Sequence, residues 1–127
     1  MRFYLITFMV CFTLPVLAEP SPELTYYLKA SVTKVHVVTK NGGHGVGTGV
    51  VVAKDMVATN CHILANAKGV NITKFGDSFA PVALKADWKH DLCIMRFEYL
   101  DLKPVELGDS EALQYEQSMF SIGFPGG

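Results

Sequence analysis

The stretch V-A-T-N-C-H-I-L, from Val57 to Leu64, places a short apolar segment directly before a polar pair, a cysteine and a histidine. A histidine that follows a strand has three common roles: a general base, a metal ligand, or a buried imidazole. Which role His62 has depends on the other residues of the chain that can reach it.

The segments around this stretch are short, rich in β-branched residues and separated by turns. Asn41-Gly42-Gly43 and Gly76-Asp77 are turn signals. Eight segments are predicted as strands: residues 32–39, 45–53, 56–59, 70–73, 79–87, 92–97, 104–107 and 119–122. Short strands of this kind favour an all-β barrel or sandwich. No segment after the N-terminal region indicates a helix long enough for a βαβ crossover, which disfavours an α/β fold.

The N-terminal region divides into two parts. Residues 1–18 are predicted to be a secretory signal peptide, because Arg2 precedes an apolar run that ends in a cleavage-like Pro15–Ala18 segment. The apolar run is shorter than the roughly 20 residues of a membrane span, so we expect no stable membrane insertion after cleavage; an uncleaved anchor is the alternative. Residues 19–30 are predicted to form a short helix, with Ser21 as N-cap. Residues 31–127 then form the β domain.

The charge balance and the glycine-rich stretch each argue against one kind of binding. The chain has 11 basic and 12 acidic residues with no basic cluster, which disfavours nucleic acid or an anionic membrane as a partner. The glycine-rich residues 42–49 are not a phosphate loop, because a strand-like Val50–Val52 follows them instead of a helix N-terminus.

A metal site has little support from the positions of the four histidines. Neither His-Glu-x-x-His nor paired Cys-x-x-Cys is present. His62, His90 and Asp91 could converge on zinc, but no ligand spacing indicates it. Asp91 also suits another role, since it directly precedes the apolar strand that begins at Leu92 and could hold the ring of a general base. From the residues alone, the alternative is that Asp91 is a turn or strand-end carboxylate that bonds its own backbone.

A family resemblance favours the general-base role for His62. Residues Thr59–Leu64 resemble the catalytic-histidine motif of bacterial trypsin-like serine endopeptidases, which are exported enzymes of the chymotrypsin fold. Residues His90–Met95 are similar to the catalytic-aspartate motif of these enzymes. Residues 107–110 and 121–127 resemble the end of their first half.

The resemblance implies a fold, a site and a location. The fold would be the N-terminal six-stranded Greek-key β-barrel of a chymotrypsin-like protease, without the second barrel. His62 would be the general base and Asp91 the acid that orients it, acting on peptide or protein substrates with no metal or organic cofactor. The protein would be exported, to the periplasm or outside the cell.

The serine nucleophile of that family is not found in this sequence. The family has it in a Gly-x-Ser-Gly-Gly setting after the histidine and the aspartate. None of the six serines has a glycine two before it and another after it: Ser21, Ser31, Ser78, Ser110, Ser118 and Ser121. We therefore expect a truncated protease that is inactive alone. The alternative is a proteolytically inactive, exported binding or interaction module with a protease-like half-fold.

The resemblance also places two cysteines close together. Cys61 directly precedes His62, and Cys93 follows Asp91 by two residues. If His62 and Asp91 touch, Cys61 and Cys93 lie near the reach of a disulfide, which an oxidising compartment would permit. We expect these two cysteines to pair; two buried free thiols are the alternative.

Overall fold

The computed structural model describes residues 19–125, so the predicted signal peptide at residues 1–18 lies outside the described residues. One helix is followed by seven strands: α1 (Pro22–Ala30), β1 (Val32–Thr39), β2 (His44–Ala53), β3 (Met56–Thr59), β4 (Ala67–Lys74), β5 (Asp77–Phe79), β6 (Ala83–Asp87) and β7 (Leu92–Arg96). Two 3₁₀ turns cover Cys61–Leu64 and Ser110–Ala112. The prediction of a mainly β protein with a short N-terminal helix is confirmed. Between residues 19 and 125, no helix has the length and apolar character needed to cross a bilayer.

Helix α1 starts where the sequence predicts. The hydroxyl of Ser21 accepts a hydrogen bond from the backbone N–H of Leu24 at 3.1 Å, and Pro22 occupies the first turn, where a missing N–H costs nothing. No residue of α1 is buried. The helix therefore lies on the surface and contributes little to the core.

The seven strands form one antiparallel sheet in the order β5-β4-β1-β2-β3-β7-β6. The four strands β4-β1-β2-β3 have the spatial order of a Greek key, in which the fourth strand returns to pair with the first. The sheet has seven strands, whereas the family resemblance implies six. The strand predicted over residues 79–87 is in fact interrupted around Pro81, which has no N–H to donate to a ladder, so it is divided between β5 and β6.

The connection between β5 and β6 requires the sheet to curl. In a flat sheet of seven strands the two outer strands would be about 29 Å apart, at about 4.8 Å per strand. Strands β5 and β6 are these outer strands, yet only Ala80–Val82 separate them along the chain. Four peptide steps span about 14 Å at most. The sheet therefore bends toward a barrel.

The interior of the curled sheet is apolar. Alternate residues of β1 are buried, as the period of two predicts, and they pack with side chains from the other strands and the following loops. The buried cluster consists of Val35, Val37, Val51, Val57, Cys61, Leu64, Ile72, Cys93, Met95, Phe97 and Leu100. Gly49 lies where β2 crosses this core, and a Cβ there would come within 2.6 Å of both Thr33 Oγ1 and Val57 Cγ1.

Two predicted strands are wrong. Residues 104–107 and 119–122 are irregular. Pro104 has no N–H, and the N–H of Val105 makes a single bond to the carbonyl of Val51, at 2.8 Å, instead of a ladder. Met119 is 73% exposed, and no strand within the described part of the chain pairs with its segment. A strand needs a hydrogen-bonded neighbour, which local sequence cannot supply.

Candidate active site

The pairing of β3 with β7 builds the candidate site. The two strands are antiparallel and in a register that sets Thr59 opposite Cys93. The residues that follow Thr59 and those that precede Cys93 therefore meet at the same end of the sheet. His62 and Asp91, which are 29 residues apart in sequence, are brought together in this way.

The 3₁₀ turn at Cys61–Leu64 presents His62 to solvent. Cys61 and Leu64 are buried and anchor the turn, whereas 70% of the His62 side chain is exposed. Ile63 packs against the face of β2, where a Cβ on Gly47 would lie only 2.4 Å from Ile63 Cδ1. The glycine at position 47 thus leaves the space that Ile63 occupies.

Asp91 contacts His62 at two points. Its Oδ1 accepts a hydrogen bond from the backbone N–H of His62 at 2.8 Å, and its Oδ2 lies 2.6 Å from His62 Nδ1. Asp91 adopts a left-handed backbone conformation, with φ of 53°, directly before β7 begins. The interpretation of Asp91 as a carboxylate bonded only to its own turn is therefore wrong.

This geometry determines the tautomer of the ring. A carboxylate accepts hydrogen bonds, so Nδ1 of the neutral imidazole carries the proton and Nε2 is left with a free lone pair. Hydrogen bonds from the side chain and then the backbone of His62 hold the pKa of Asp91 below its usual value, against a smaller opposing effect of desolvation. Asp91 is therefore ionised at neutral pH and can stabilise a positive charge on the ring.

Asn60 is a further member of the site that sequence reasoning missed. Its Nδ2 donates to Asp91 Oδ2 at 3.1 Å and to the backbone carbonyl of Asp91 at 3.3 Å. The available signals were its place within the Thr59–Leu64 motif and its position two residues before His62. An asparagine in front of a helical turn is ordinarily explained as an N-cap, and this explanation points away from Asp91.

The two cysteines lie beneath the site. Both are fully buried, with their Cα atoms 5.0 Å apart and their Sγ atoms 2.09 Å apart. The Cα separation falls within the range of about 4.4–6.8 Å that disulfides require. The arrangement is the one that the predicted Cys61–Cys93 disulfide needs.

The other histidines lie outside this pair. The ring of His90 contacts Asp87, with Nδ1 and Oδ2 2.8 Å apart, instead of joining His62 and Asp91. The rings of His36 on β1 and His44 on β2 are arranged edge to face, with their centroids 6.5 Å apart. In the part of the chain from residue 19 to 125, no group of three or more His, Cys, Asp or Glu side chains is arranged to hold a metal ion.

Three of the serines have structural partners. Ser21 caps α1, the hydroxyl of Ser31 donates to the carbonyl of Lys103 at 2.7 Å, and Ser78 accepts from Asn71. Within residues 19–125 the hydrogen-bond partner of the His62 ring is Asp91, and no serine hydroxyl takes part. The described residues thus bring a histidine and an aspartate into contact, with no serine hydroxyl bonded to either of them.

A curled antiparallel sheet with a histidine and an aspartate in contact at one end is typical of one half of a chymotrypsin-like fold. The sequence model of the trypsin-like peptidase domain matches residues 47–127. The chain belongs to this family.

Two relatives have similar sequences. The protein is 37% identical over 90 residues to protease Do-like 13 of Arabidopsis thaliana, an alignment that covers 64% of this chain and 18% of the relative. It is 32% identical over 83 residues to serine protease HhoB of Synechocystis sp., covering 64% of this chain and 20% of the relative. The chain therefore spans about a fifth of the length of these relatives.

Solved structures of proteases share the fold. The active form of the Rv3671c protease from M. tuberculosis superposes with a TM-score of 0.63 at 24% identity, covering 84% of this chain and 49% of that one. The HtrA-type protease AlgW, solved with a tripeptide, gives a TM-score of 0.66 at 19% identity, covering 75% of this chain and 32% of that one. At these identities the likeness bears on the fold alone.

Proposed function

We propose that this chain supplies the general base and the orienting acid of a serine endopeptidase, with His62 and Asp91 in these roles. The observation that carries the proposal is the double contact of Asp91 with the backbone N–H and with Nδ1 of His62. The contact with Nδ1 sets the tautomer of the ring, and the contact with the backbone N–H keeps the carboxylate beside it, as a general base requires. Membership of the trypsin-like peptidase family supports peptide or protein substrates.

In the proposed mechanism, Nε2 of His62 removes the proton of a serine hydroxyl as its oxygen attacks the carbonyl carbon of the peptide bond. The ring then donates this proton to the nitrogen of the leaving amine. Asp91 stays ionised throughout and stabilises the imidazolium. The 70% exposure of the His62 side chain leaves room for a nucleophile and a substrate to approach it.

Hydrolysis also needs a nucleophile and an oxyanion hole, and we propose that both come from residues outside these 127. No serine in the sequence has the Gly-x-Ser-Gly setting of the family. Backbone N–H groups around such a serine ordinarily form the oxyanion hole, so the two are missing together. The chain alone is then expected to give neither hydrolysis of a peptide substrate nor labelling by a serine-directed phosphonate.

The test has a sequence step and an activity step. The coding sequence downstream of Gly127 is read first, and a Gly-x-Ser-Gly-Gly stretch is expected there. The protein encoded by this extended reading frame is then expressed. In it, His62→Ala is expected to lower kcat by roughly 10⁶-fold and to abolish phosphonate labelling. His90→Ala is the matched control, because His90 is also an exposed histidine bonded to an aspartate. This variant should keep the wild-type kcat and the phosphonate labelling.

Two results would overturn the proposal. The first is full activity of the His62→Ala protein. The second is hydrolysis by the 127-residue chain alone that His62→Ala abolishes, since the nucleophile would then lie within the chain. Unrelated sequence downstream of Gly127 would favour the inactive interaction module instead.

Export is a separate part of the proposal. The apolar run and the cleavage-like segment at Pro15–Ala18 support it, as does the closeness of Cys61 and Cys93, since disulfides persist in oxidising compartments. Expression in a bacterial host is expected to give a mature protein that starts at Glu19, measured by intact mass. Retention of Met1 on the exported protein would contradict signal cleavage.

A further inference from the structure

Asn60 occupies the N-cap position of the 3₁₀ turn that carries His62, but its side chain does not cap that turn. An N-cap asparagine normally accepts a hydrogen bond through its side-chain oxygen from a backbone N–H two or three residues later. Here no such bond forms. The local explanation for an asparagine at this place is therefore excluded, and the side chain is available for another contact.

The amide of Asn60 instead connects two parts of Asp91. Its Nδ2 lies 3.1 Å from the side-chain Oδ2 and 3.3 Å from the backbone carbonyl oxygen of the same residue. A single NH₂ group, which has two hydrogens to donate, thereby ties the carboxylate to its own main chain. This tie acts on a residue whose backbone is in the left-handed region, with φ of 53°.

The contact completes the set of donors around the carboxylate. Oδ1 is held by the backbone N–H of His62, and Oδ2 faces both the ring of His62 and the amide of Asn60. With the backbone bond alone, the carboxylate could rotate about its Cβ–Cγ bond and move Oδ2 away from the ring. The side chain of Asp91 is 40% exposed, so water can also compete for Oδ2.

We propose that Asn60 is a positioning residue, which holds the plane of the Asp91 carboxylate so that Oδ2 stays against Nδ1 of His62. Its importance for catalysis rests on the proposed function, because only then is the His62–Asp91 pair a general base and its orienting acid. The contact itself can be tested without any catalysis.

The experiment uses NMR of the 127-residue chain labelled with ¹⁵N. The quantities measured are the fraction of the neutral His62 ring that is protonated on Nδ1, and the rate at which that proton exchanges with water. The wild-type chain is expected to have the Nδ1–H tautomer. Asn60→Ala is expected to speed the exchange about tenfold, the factor that corresponds to about 1.4 kcal/mol, and to lower the Nδ1–H fraction.

A second variant guards against misfolding. Asn60→Asp keeps the shape of the side chain but replaces the donor with a carboxylate that repels Asp91, so it is expected to speed the exchange at least as much as Asn60→Ala. Asn71→Ala is the matched control, because it removes an exposed amide that bonds to Ser78 on the neighbouring strand. Asn71→Ala should leave the Nδ1–H fraction of the His62 ring and the exchange rate of that proton as in the wild type.

The outcomes separate this proposal from the proposed function. Asp91→Asn is measured alongside. If Asp91→Asn changes the Nδ1–H fraction or the exchange rate of His62 while both Asn60 variants match the wild type, the role of Asn60 is refuted and the His62–Asp91 pair stands. If the ring is unchanged in Asp91→Asn as well, the pair does not form in solution, and the role of Asp91 in the proposed function fails with it.

Discussion

The sulfur atoms of Cys61 and Cys93 lie 2.09 Å apart in the core, directly beneath the exposed pair of His62 and Asp91. Cys61 directly precedes the histidine, and Cys93 follows the aspartate by two residues. A disulfide at this position joins the turn that carries the histidine to the strand that follows the aspartate. The candidate site would then be constrained by one covalent bond below and by hydrogen bonds above.

Reduction of this pair is expected to destabilise the domain. A disulfide that closes a loop of 32 residues contributes about 3–4 kcal/mol in the chain-entropy model. The free energy of unfolding, measured with urea, should therefore fall by about that amount when reductant is added. The variant Cys61→Ala/Cys93→Ala should be insensitive to reductant. Thiol titration of the unfolded, unreduced chain should detect neither cysteine; two free thiols from this pair would show that the bond is absent.

Gly49→Ala is expected to destabilise the barrel by about 1–3 kcal/mol, the usual cost of overpacking. Its Cβ would meet the buried side chains of Thr33 and Val57 at 2.6 Å, and neither has open space into which to move. The measurement is the free energy of unfolding in urea. Gly69→Ala in β4 is the control, since a Cβ there has nothing within 4 Å and should be tolerated. Equal stabilities of the two variants would contradict the packing argument.

The acid side of the stability profile should depend on Asp91. The pKa of Asp91 is lowered in the folded protein, chiefly by the hydrogen bond with the side chain of His62. Its stabilising contribution is therefore complete above the unfolded-state pKa of about 3.9 and is lost as pH falls through the folded-state value. Asp91→Asn should be less stable than the wild type above about pH 4, and the difference should shrink in more acidic solution.

Thermal unfolding across a pH series measures this effect. Asp77→Asn changes an exposed carboxylate at the start of β5 and should follow the wild-type curve. A difference between Asp91→Asn and the wild type that stays constant from neutral pH down to strongly acidic solution would refute the assignment.

Lys74 is expected to hold α1 on the sheet. Its Nζ donates to the carbonyl of Lys29 in the last turn of α1 and, at 2.6 Å, to the carbonyl of Val32. Lys74→Met removes both bonds and should destabilise the docked helix by about 1–3 kcal/mol, which speeds hydrogen exchange of the α1 amides. Lys68→Met, at an exposed position on the same strand, should leave this exchange unchanged. If the α1 amides of Lys74→Met exchange as slowly as in the wild type, Lys74 does not hold α1 on the sheet.

Local sequence patterns were sufficient for most of the regular structure. The alternation of β1, the turn at Asn41–Gly43 and the Ser21 cap of α1 each depend on residues within a few positions of one another, and the structure has all three. Residues 104–107 were predicted as a strand for the same local reason, and there the prediction failed. Strand formation also requires a neighbouring backbone, which a local pattern does not contain.

The sequence by itself determined that His62 follows a strand, that Asp91 precedes one, and that both lie in motifs resembling those of a protease family. Only the tertiary structure decided that the two side chains touch, because their distance depends on the register of β3 against β7. That register pairs Val57 with Met95 and Thr59 with Cys93 in the core, and a shift by one residue would turn these side chains to the other face of the sheet. Asn60 illustrates the same limit: its local preference is to cap a turn, but the fold brings Asp91 within reach of its amide, and the contact with a charged carboxylate replaces the cap.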